Sequence, residues 1–133
     1  MPPKKRPITA EDLYRIELLF EPRLSPDGRH VVYRLQRVDR KSEKKYSNLW
    51  LVGTDDSTPR QFTQGNQMDT SPRWSPDGKQ IAFLSTRADL DKPPQVYLIP
   101  LGGGEARRLT DIPGEIKDLS WSPDGRRLTR RGP

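Results

Sequence analysis

The residues in this 133-residue chain whose types could do chemistry are mainly aspartates, because there is one histidine and no cysteine. Asp27, Asp77 and Asp124 each lie in a Ser-Pro-Asp-Gly tetrapeptide, which therefore occurs three times. Such carboxylates are candidate general acids or metal ligands. However, a catalytic group has no reason to recur once per repeat. The recurrence therefore predicts that these aspartates belong to turns.

The remaining candidates for catalysis are isolated from one another in the sequence. His30 directly follows the first tetrapeptide, and its neighbours offer no carboxylate to orient a base, so we interpret it as a surface histidine. Asp55 and Asp56 are adjacent charges in a predicted turn. No Gly-x-Ser-x-Gly elbow is present, and one histidine without cysteine disfavours a zinc or iron site. We predict no catalytic residue, no metal site and no cofactor in this chain.

Two binding chemistries are also disfavoured. The run Gly102-Gly103-Gly104-Glu105 lacks the following Lys-Ser/Thr and the helix of a phosphate-binding loop, so we interpret it as a link between strands. The net charge is +6, with basic clusters at 4–6, 40–45 and 126–131. These clusters lack a basic helix or an aromatic stacking platform, so they are interpreted as solvated charge and no nucleic acid partner is expected.

The three tetrapeptides begin at 25, 75 and 122, and other landmarks repeat with them. Each of the first two is followed by a short apolar run, a second apolar run with an aromatic residue, and an Arg-x-x-Thr segment. The corresponding pairs are Val31–Tyr33 and Ile81–Leu84, Leu49–Val52 and Val96–Ile99, Arg60–Thr63 and Arg107–Thr110. A repeat of this period is typical of stacked structural units.

The tetrapeptide has the composition of a hairpin turn. Proline fixes φ for the second position of a type I turn, aspartate bonds to local amides, and glycine accepts positive φ. Each repeat then has four short strands: before the turn, after it, at the aromatic run and at the threonine. The sequence thus predicts an all-β fold, a partial β-propeller of two full four-stranded blades plus the start of a third. One short N-terminal α-helix precedes it.

The predicted boundaries follow from these landmarks. Residues 1–7 are a predicted disordered tail and 8–21 a predicted helix, with Thr9 as N-cap and Pro22 ending it. Blade 1 covers 22–68, blade 2 covers 69–115, and 116–133 form an incomplete blade 3. Within blade 1, a charged connection from Arg37 to Lys45 is predicted between two strands.

Composition bears on stability and location. Hydrophobic residues make up 31% of the chain and the mean hydropathy is −0.93, which is apolar-poor for a compact domain. Since each blade needs neighbours to cover its faces, we expect marginal stability for the chain alone. No apolar run follows the basic N-terminus, so we expect no signal peptide, no membrane association and a cytoplasmic location.

The stretch 74–83, with Val96–Ile99 and Gly103–Thr110, resembles the TolB-like propeller repeat. The segments Thr9–Tyr14 and Pro22–Arg29 are similar to the N-terminus of prolyl oligopeptidase family serine peptidases, particularly the acylaminoacyl-peptidase branch. WD-type propellers fit less well, since no Gly-His or Trp-Asp pair marks the repeats.

This resemblance implies an N-terminal propeller segment that gates substrate access for peptides. It also implies packing on an α/β-hydrolase domain that holds the Ser-Asp-His triad, with further blades between them. Neither is within these residues, so the chain alone is expected to be non-catalytic. The alternative is a segment of a non-enzymatic TolB-like propeller that acts as a protein-interaction scaffold.

Overall fold

The computed structural model describes residues 18–55, 57–111, 114–116 and 118–131, which form three antiparallel sheets and no helix. The first sheet contains β1 (Leu18–Leu24), β2 (His30–Val38), β3 (Lys45–Gly53) and β4 (Arg60–Gln61) in that order. The second contains β5 (Asp69–Trp74), β6 (Gln80–Ser85), β7 (Gln95–Pro100) and β8 (Arg107–Arg108). In the third, β9 (Asp118–Trp121) pairs with β10 (Leu128–Arg131). The predicted all-β fold with four strands per repeat is confirmed.

The tetrapeptides form the hairpin turns that join the first two strands of each sheet. In each copy the glycine N–H donates to the serine carbonyl over 2.9 Å. The glycines Gly28, Gly78 and Gly125 have φ of 73°, 72° and 73°, a region that other residues enter only at a cost. The serine N–H also bonds to the carbonyl five residues later, which belongs to His30 at the start of β2, Gln80 at the start of β6 and Arg127 just before β10. The turn prediction is therefore confirmed in all three copies.

The first strand of both complete sheets carries the same irregularity. The register of β1 shifts between Phe20 and Arg23, and that of β5 shifts between Thr70 and Arg73. Glu21 and Ser71, which occupy equivalent positions, have φ of 54° and 55°. A proline follows each of them, where the bulge removes the need for a ladder N–H.

The predicted helix is wrong where the structure describes its residues. Residues 18–21 lie in β1, with Leu18 opposite Gln36 and Leu19 opposite Leu35 of β2. The edge of β2 offers unpaired backbone groups, and pairing with them satisfies N–H and C=O groups along the whole segment. The boundary predicted between residues 21 and 22 thus falls inside β1. Residues 1–7 and 8–17 lie outside the described residues.

The hairpin between β2 and β3 is longer than predicted. Arg37 and Val38 continue β2, and Lys45 begins β3 opposite Val38. The connection is only a turn at 39–44, closed by the Asp39 N–H donating to the Lys44 carbonyl over 2.8 Å. The charged side chains of this segment therefore project from paired strands as well as from the turn.

Apolar side chains from facing sheets form two buried clusters. At the first junction, between the first and second sheets, the cluster comprises Val32, Leu49, Leu51, Phe62, Ile81, Phe83, Tyr97 and Ile99. At the second junction, between the second and third sheets, it comprises Ala82, Leu84, Val96, Leu98, Ile116 and Leu119. Alternate residues of β6 and β7 thus point to opposite faces, and the second sheet is buried on both.

The turn glycines can be tested by substitution in the purified chain. We expect Gly78→Ala to lower the free energy of unfolding by about 1–2 kcal/mol, because an L-residue must adopt a left-handed conformation there. The new Cβ would lie 3.7 Å from the Pro26 Cδ, an ordinary contact, so the effect isolates backbone conformation. Gly102→Ala is the matched control, since its Cβ would meet nothing within 4 Å. Equal shifts of the urea midpoint in the two variants would contradict this account.

Candidate functional site at the junctions between sheets

The aspartates of the three tetrapeptides are held inside their own turns. Each accepts the hydroxyl of the preceding serine, at 2.6 Å for Asp27, 2.7 Å for Asp77 and 2.6 Å for Asp124. Each also accepts the N–H two residues later, at 2.9–3.0 Å. The serine hydrogen bond, followed by the backbone one, lowers the pKa of each carboxyl below its ordinary value. The interpretation of these residues as turn groups is confirmed.

The other sequence candidates are not brought together. His30 begins β2, where its N–H donates to the Ser25 hydroxyl over 3.0 Å. Its ring centroid lies 6.4 Å from that of Trp74, and its buried Nδ1 has no hydrogen-bond partner among the described residues. Asp55 accepts the Ser57 N–H at 3.3 Å, and Asp56 lies outside the described residues.

A buried ion pair that sequence reasoning missed lies at the first junction. Asp69, the first residue of β5, is fully buried. The guanidinium of Arg87 contacts both of its carboxylate oxygens at 3.1 Å. The Thr63 hydroxyl donates to Asp69 Oδ2 over 2.7 Å, and the Gln67 amide donates to the same oxygen over 3.0 Å. Four hydrogen bonds from three side chains therefore replace the water that this carboxylate has lost.

The ion pair is tied to the first sheet through backbone groups. The Leu49 N–H of β3 donates to the Thr63 hydroxyl over 2.8 Å, so this hydroxyl links β3 to Asp69. The Ser47 hydroxyl donates to the Asp69 carbonyl over 2.8 Å, and the Ser47 N–H donates to the Gln67 carbonyl over 3.0 Å. Displacement of one sheet along the other would break these bonds together, so the cluster sets their relative position.

Arg87 is positioned by the second sheet. Its Nε donates to the Ser85 hydroxyl over 2.9 Å. Its guanidinium carbon lies 5.1 Å from the ring centroids of both Phe83 and Tyr97, within the range of a cation–π contact. The arginine therefore joins the apolar cluster of the first junction to the polar cluster beside it.

The two junctions differ at this position. Thr110, the equivalent of Thr63, accepts the Val96 N–H at 2.9 Å, so the repeating threonine bonds to the third strand in both sheets. At the second junction, however, the place of Asp69 in the repeat is taken by Ile116, which is buried in the apolar cluster. The recurrence of threonine was the sequence signal for this contact, but nothing local indicated its acidic partner.

A second kind of contact repeats at both junctions. The Trp74 indole N–H donates to the Arg23 carbonyl over 2.9 Å, and the Trp121 indole N–H donates to the Arg73 carbonyl over 3.2 Å. Each tryptophan precedes a tetrapeptide and reaches the first strand of the preceding sheet. Leu24 stands in this place in the first sheet and is exposed. The tryptophans therefore bind each sheet to the one before it.

A cleft of about 620 Å³ lies where β6 ends and β7 begins. Its charged lining residues are paired locally, Lys92 with Asp89 at 3.8 Å and Arg108 with Asp111 at 2.8 Å. Among residues 18–131, as far as they are described, no group of three or more His, Asp or Glu could hold a metal ion. The described part of the chain also has no helix long and apolar enough to cross a membrane.

Four-stranded sheets stacked face to face, with matching turns and interlocking tryptophans, define the class as a β-propeller segment. A family model described as the TolB beta propeller domain matches residues 16–131. The chain belongs to this family.

The relatives are much longer proteins, several of them peptidases. The chain is 39% identical over 121 residues to the uncharacterized peptidase YuxL of Bacillus subtilis, covering 91% of this chain and 18% of YuxL. It is 35% identical over 105 residues to dipeptidyl-peptidase 5 of Porphyromonas endodontalis, covering 79% of this chain and 15% of that protein. The chain thus spans less than a fifth of the length of these relatives.

Two kinds of solved structure share the fold. The acylaminoacyl peptidase of Pyrococcus horikoshii superposes with a TM-score of 0.74 and 26% identity, over 90% of this chain and 18% of the peptidase. TolB from Acinetobacter baumannii superposes with a TM-score of 0.56 and 18% identity, over 86% of this chain and 37% of TolB. The second likeness, at this identity, concerns the fold alone.

The role of the ion pair can be tested against a second Arg–Asp pair between sheets. We expect Asp69→Asn to lower the free energy of unfolding by about 3 kcal/mol, because Asp69 is fully buried and an amide there replaces an acceptor oxygen by an N–H group that faces other donors. Asp118→Asn is the control, since Asp118 meets Arg73 at 3.0 Å but its side chain is 50% exposed. An exposed pair contributes about 1 kcal/mol or less. Urea unfolding measures both, and a control that is destabilised as much as Asp69→Asn would contradict this assignment.

The second junction suggests how the stability lost in Asp69→Asn could be recovered. In the double variant Asp69→Ile with Arg87→Met, apolar groups replace both charges, as Ile116 does at the next junction. Removal of both partners avoids an uncompensated buried charge, so we expect this variant to be more stable than Asp69→Asn. Urea unfolding of the two variants measures this difference in the free energy of unfolding.

Proposed function

We propose that this chain is the N-terminal propeller segment of a prolyl oligopeptidase family serine peptidase. In that role it gates access of peptide substrates and packs on an α/β-hydrolase domain that carries the catalytic triad. The observation that carries the proposal is 39% identity with a peptidase of which the matched region is only 18%. A dipeptidyl-peptidase and the structure of an acylaminoacyl peptidase support it independently.

The arrangement of polar groups agrees with a supporting role. The turn aspartates bond within their turns, and Asp69 is enclosed by donors from both sheets. The turn aspartates thus fix their hairpins and Asp69 fixes the first two sheets relative to each other, which a gate over an active site requires. We therefore propose that the chain is not catalytic alone and that the nucleophile, base and acid belong to the hydrolase domain. The cytoplasmic location stays a prediction from the sequence.

A TolB-like scaffold without enzymatic activity is the second candidate. It is favoured by the family model, which is that of the TolB beta propeller domain and matches residues 16–131. The lower TM-score and identity of the TolB match place it behind the peptidase. The two candidates differ in whether the native polypeptide carries a reactive serine.

The proposal can be tested on the native polypeptide with a serine-directed fluorophosphonate probe. An antibody raised against the purified chain would recover the polypeptide from cell extract after labelling. We expect a labelled species several-fold heavier than the 15.3 kDa of this chain, and no labelling of the purified chain itself. Heating the extract before labelling is the control, because only a folded active site activates its serine. A heavy species that stays unlabelled would favour the scaffold, and recovery of an unlabelled 15.3 kDa species alone would contradict both candidates.

A further inference from the structure

The hairpin that joins β2 to β3 extends beyond the sheet to which it belongs. In the second sheet, the pairing of β6 with β7 ends at Ser85 opposite Gln95. The equivalent pair in the first sheet is Leu35 opposite Asn48, and three more pairs follow it before the turn. Three pairs lengthen a hairpin by about 10 Å. We call residues 37–46, which form the outer part of this extension, the β2–β3 arm.

The arm carries an unbalanced positive charge. Five basic and two acidic side chains give it a net charge of +3, which is half of the +6 of the whole chain. The corresponding connection in the second sheet, residues 86–94, has two basic and two acidic side chains and is neutral. The charge is therefore not needed to form a four-stranded sheet, because the second sheet forms without it.

Hydrogen bonds hold the backbone of the arm in one conformation. The Asp39 carboxylate accepts the N–H and the hydroxyl of Ser42 at 2.9 and 2.8 Å. The Glu43 N–H donates to the Asp39 carbonyl over 2.8 Å. At the base of the arm, the Arg37 guanidinium donates to the Asn66 side-chain oxygen over 2.6 Å. The arm is thus preorganised, which lowers the entropic cost of binding a partner.

The lysines of the arm are exposed and not neutralised. Among the described residues, Lys41, Lys44 and Lys45 have no ion-pair partner. In the equivalent connection of the second sheet, by contrast, Lys92 pairs with Asp89 at 3.8 Å. Three ammonium groups on a preorganised hairpin are complementary to an acidic surface.

The position of the arm limits what it can contact. None of its residues belongs to the apolar cluster of the first junction, so it adds nothing to that buried core. The tetrapeptide turn lies at the other end of β2, where that strand begins. The arm projects from the end at which β2 finishes, and it therefore contacts whatever lies across that end of the sheets.

We propose that the β2–β3 arm binds an acidic surface of the α/β-hydrolase domain of the same polypeptide, through Lys41, Lys44 and Lys45. This inference rests on the proposed function and names the end of the propeller on which the hydrolase domain lies. The matched region is only 18% of YuxL, so a polypeptide of that length has room for a domain across this end. Two copies of the chain that pair through their arms are disfavoured, because like charges repel.

Such an interface suits a gate. Ion pairs between solvated side chains each contribute about 1 kcal/mol or less. An interface made of them can therefore separate and re-form without the loss of a buried core. The apolar clusters between the sheets stay intact in this movement, because the arm is not part of them.

The experiment compares lysine reactivity in the purified chain and in the purified native polypeptide. Acetylation by an N-hydroxysuccinimide ester is followed by mass spectrometry. We expect the three arm lysines to react at least about tenfold more slowly in the native polypeptide, because an amine held in an ion pair reacts only when the contact opens. Lys79, which is exposed and follows the tetrapeptide turn at the other end, is the control and should react equally in both. Equal rates at the arm in the two proteins would overturn the proposal.

Variants of the native polypeptide separate charge from simple burial. In the double variant Lys44→Glu with Lys45→Glu, two contacts become repulsive, so Lys41 should react as fast as it does in the purified chain. Lys44→Arg with Lys45→Arg is the matched control, which keeps the charge and should keep Lys41 protected. Both positions are exposed, and urea unfolding of the two variants verifies that each is folded. Equal protection of Lys41 in the two variants would overturn the acidic surface.

Failure of this inference is distinguishable from failure of the proposed function. Fluorophosphonate labelling of the same polypeptide reports the hydrolase domain independently of the arm. A labelled polypeptide with reactive arm lysines would overturn the binding by the arm alone, whereas an unlabelled one would overturn the proposed function and this inference with it. Protection that is present in cell extract but lost on purification would indicate a separate anionic partner, such as a nucleic acid, and would also overturn the proposal.

Discussion

A sheet that is apolar on both faces cannot bury either face by itself, and the rest of this structure depends on that constraint. The second sheet is the clearest case, since alternate residues of β6 and β7 enter two different clusters. Each four-stranded unit is therefore stable only between neighbours. The hairpin turns form each four-stranded sheet, and the buried contacts at the junctions hold the sheets together.

Apolar contact alone would let the sheets slide, because it is non-directional. Directional bonds at the two ends of the first junction prevent this. At one end the Trp74 indole bonds to the Arg23 backbone, and at the other Thr63 and Arg87 enclose Asp69. Such a pair contributes little net stability compared with apolar groups, but a misplaced sheet would leave its charges unpaired. The polar cluster therefore destabilises wrong positions of the two sheets more than it stabilises the native position.

Features that depend on local sequence could be predicted, and those that depend on distant partners could not. The turns were predictable because serine, proline, aspartate and glycine each act on their own backbone. Leu13, Ile16, Leu19 and Phe20 have the spacing of an apolar helical stripe, so the sequence predicts a helix that includes residues 18–21. The pairing of these residues with β2 involves residues about 15 positions away, which no local pattern shows. Asp69 and Arg87 are 18 residues apart, and no spacing rule joins them. The tryptophans before the turns were visible as a pattern, but their bond to the preceding sheet required the stacking to be known.

The exchange of Asp69 for Ile116 between equivalent positions has a consequence for how such a protein can evolve or be recombined. Repeats of near-identical length are prone to duplication and unequal crossover, which would insert or delete a whole blade. Here a second blade moved to the second junction would carry Asp69 and Arg87 together. It would meet Pro94 and Gly114 in the places of Ser47 and Gln67, and would lose the bonds that those two residues make to Asp69. Each junction thus has its own set of matching residues. The residue contacts at each junction, together with the covalent chain, therefore favour the native order of the blades.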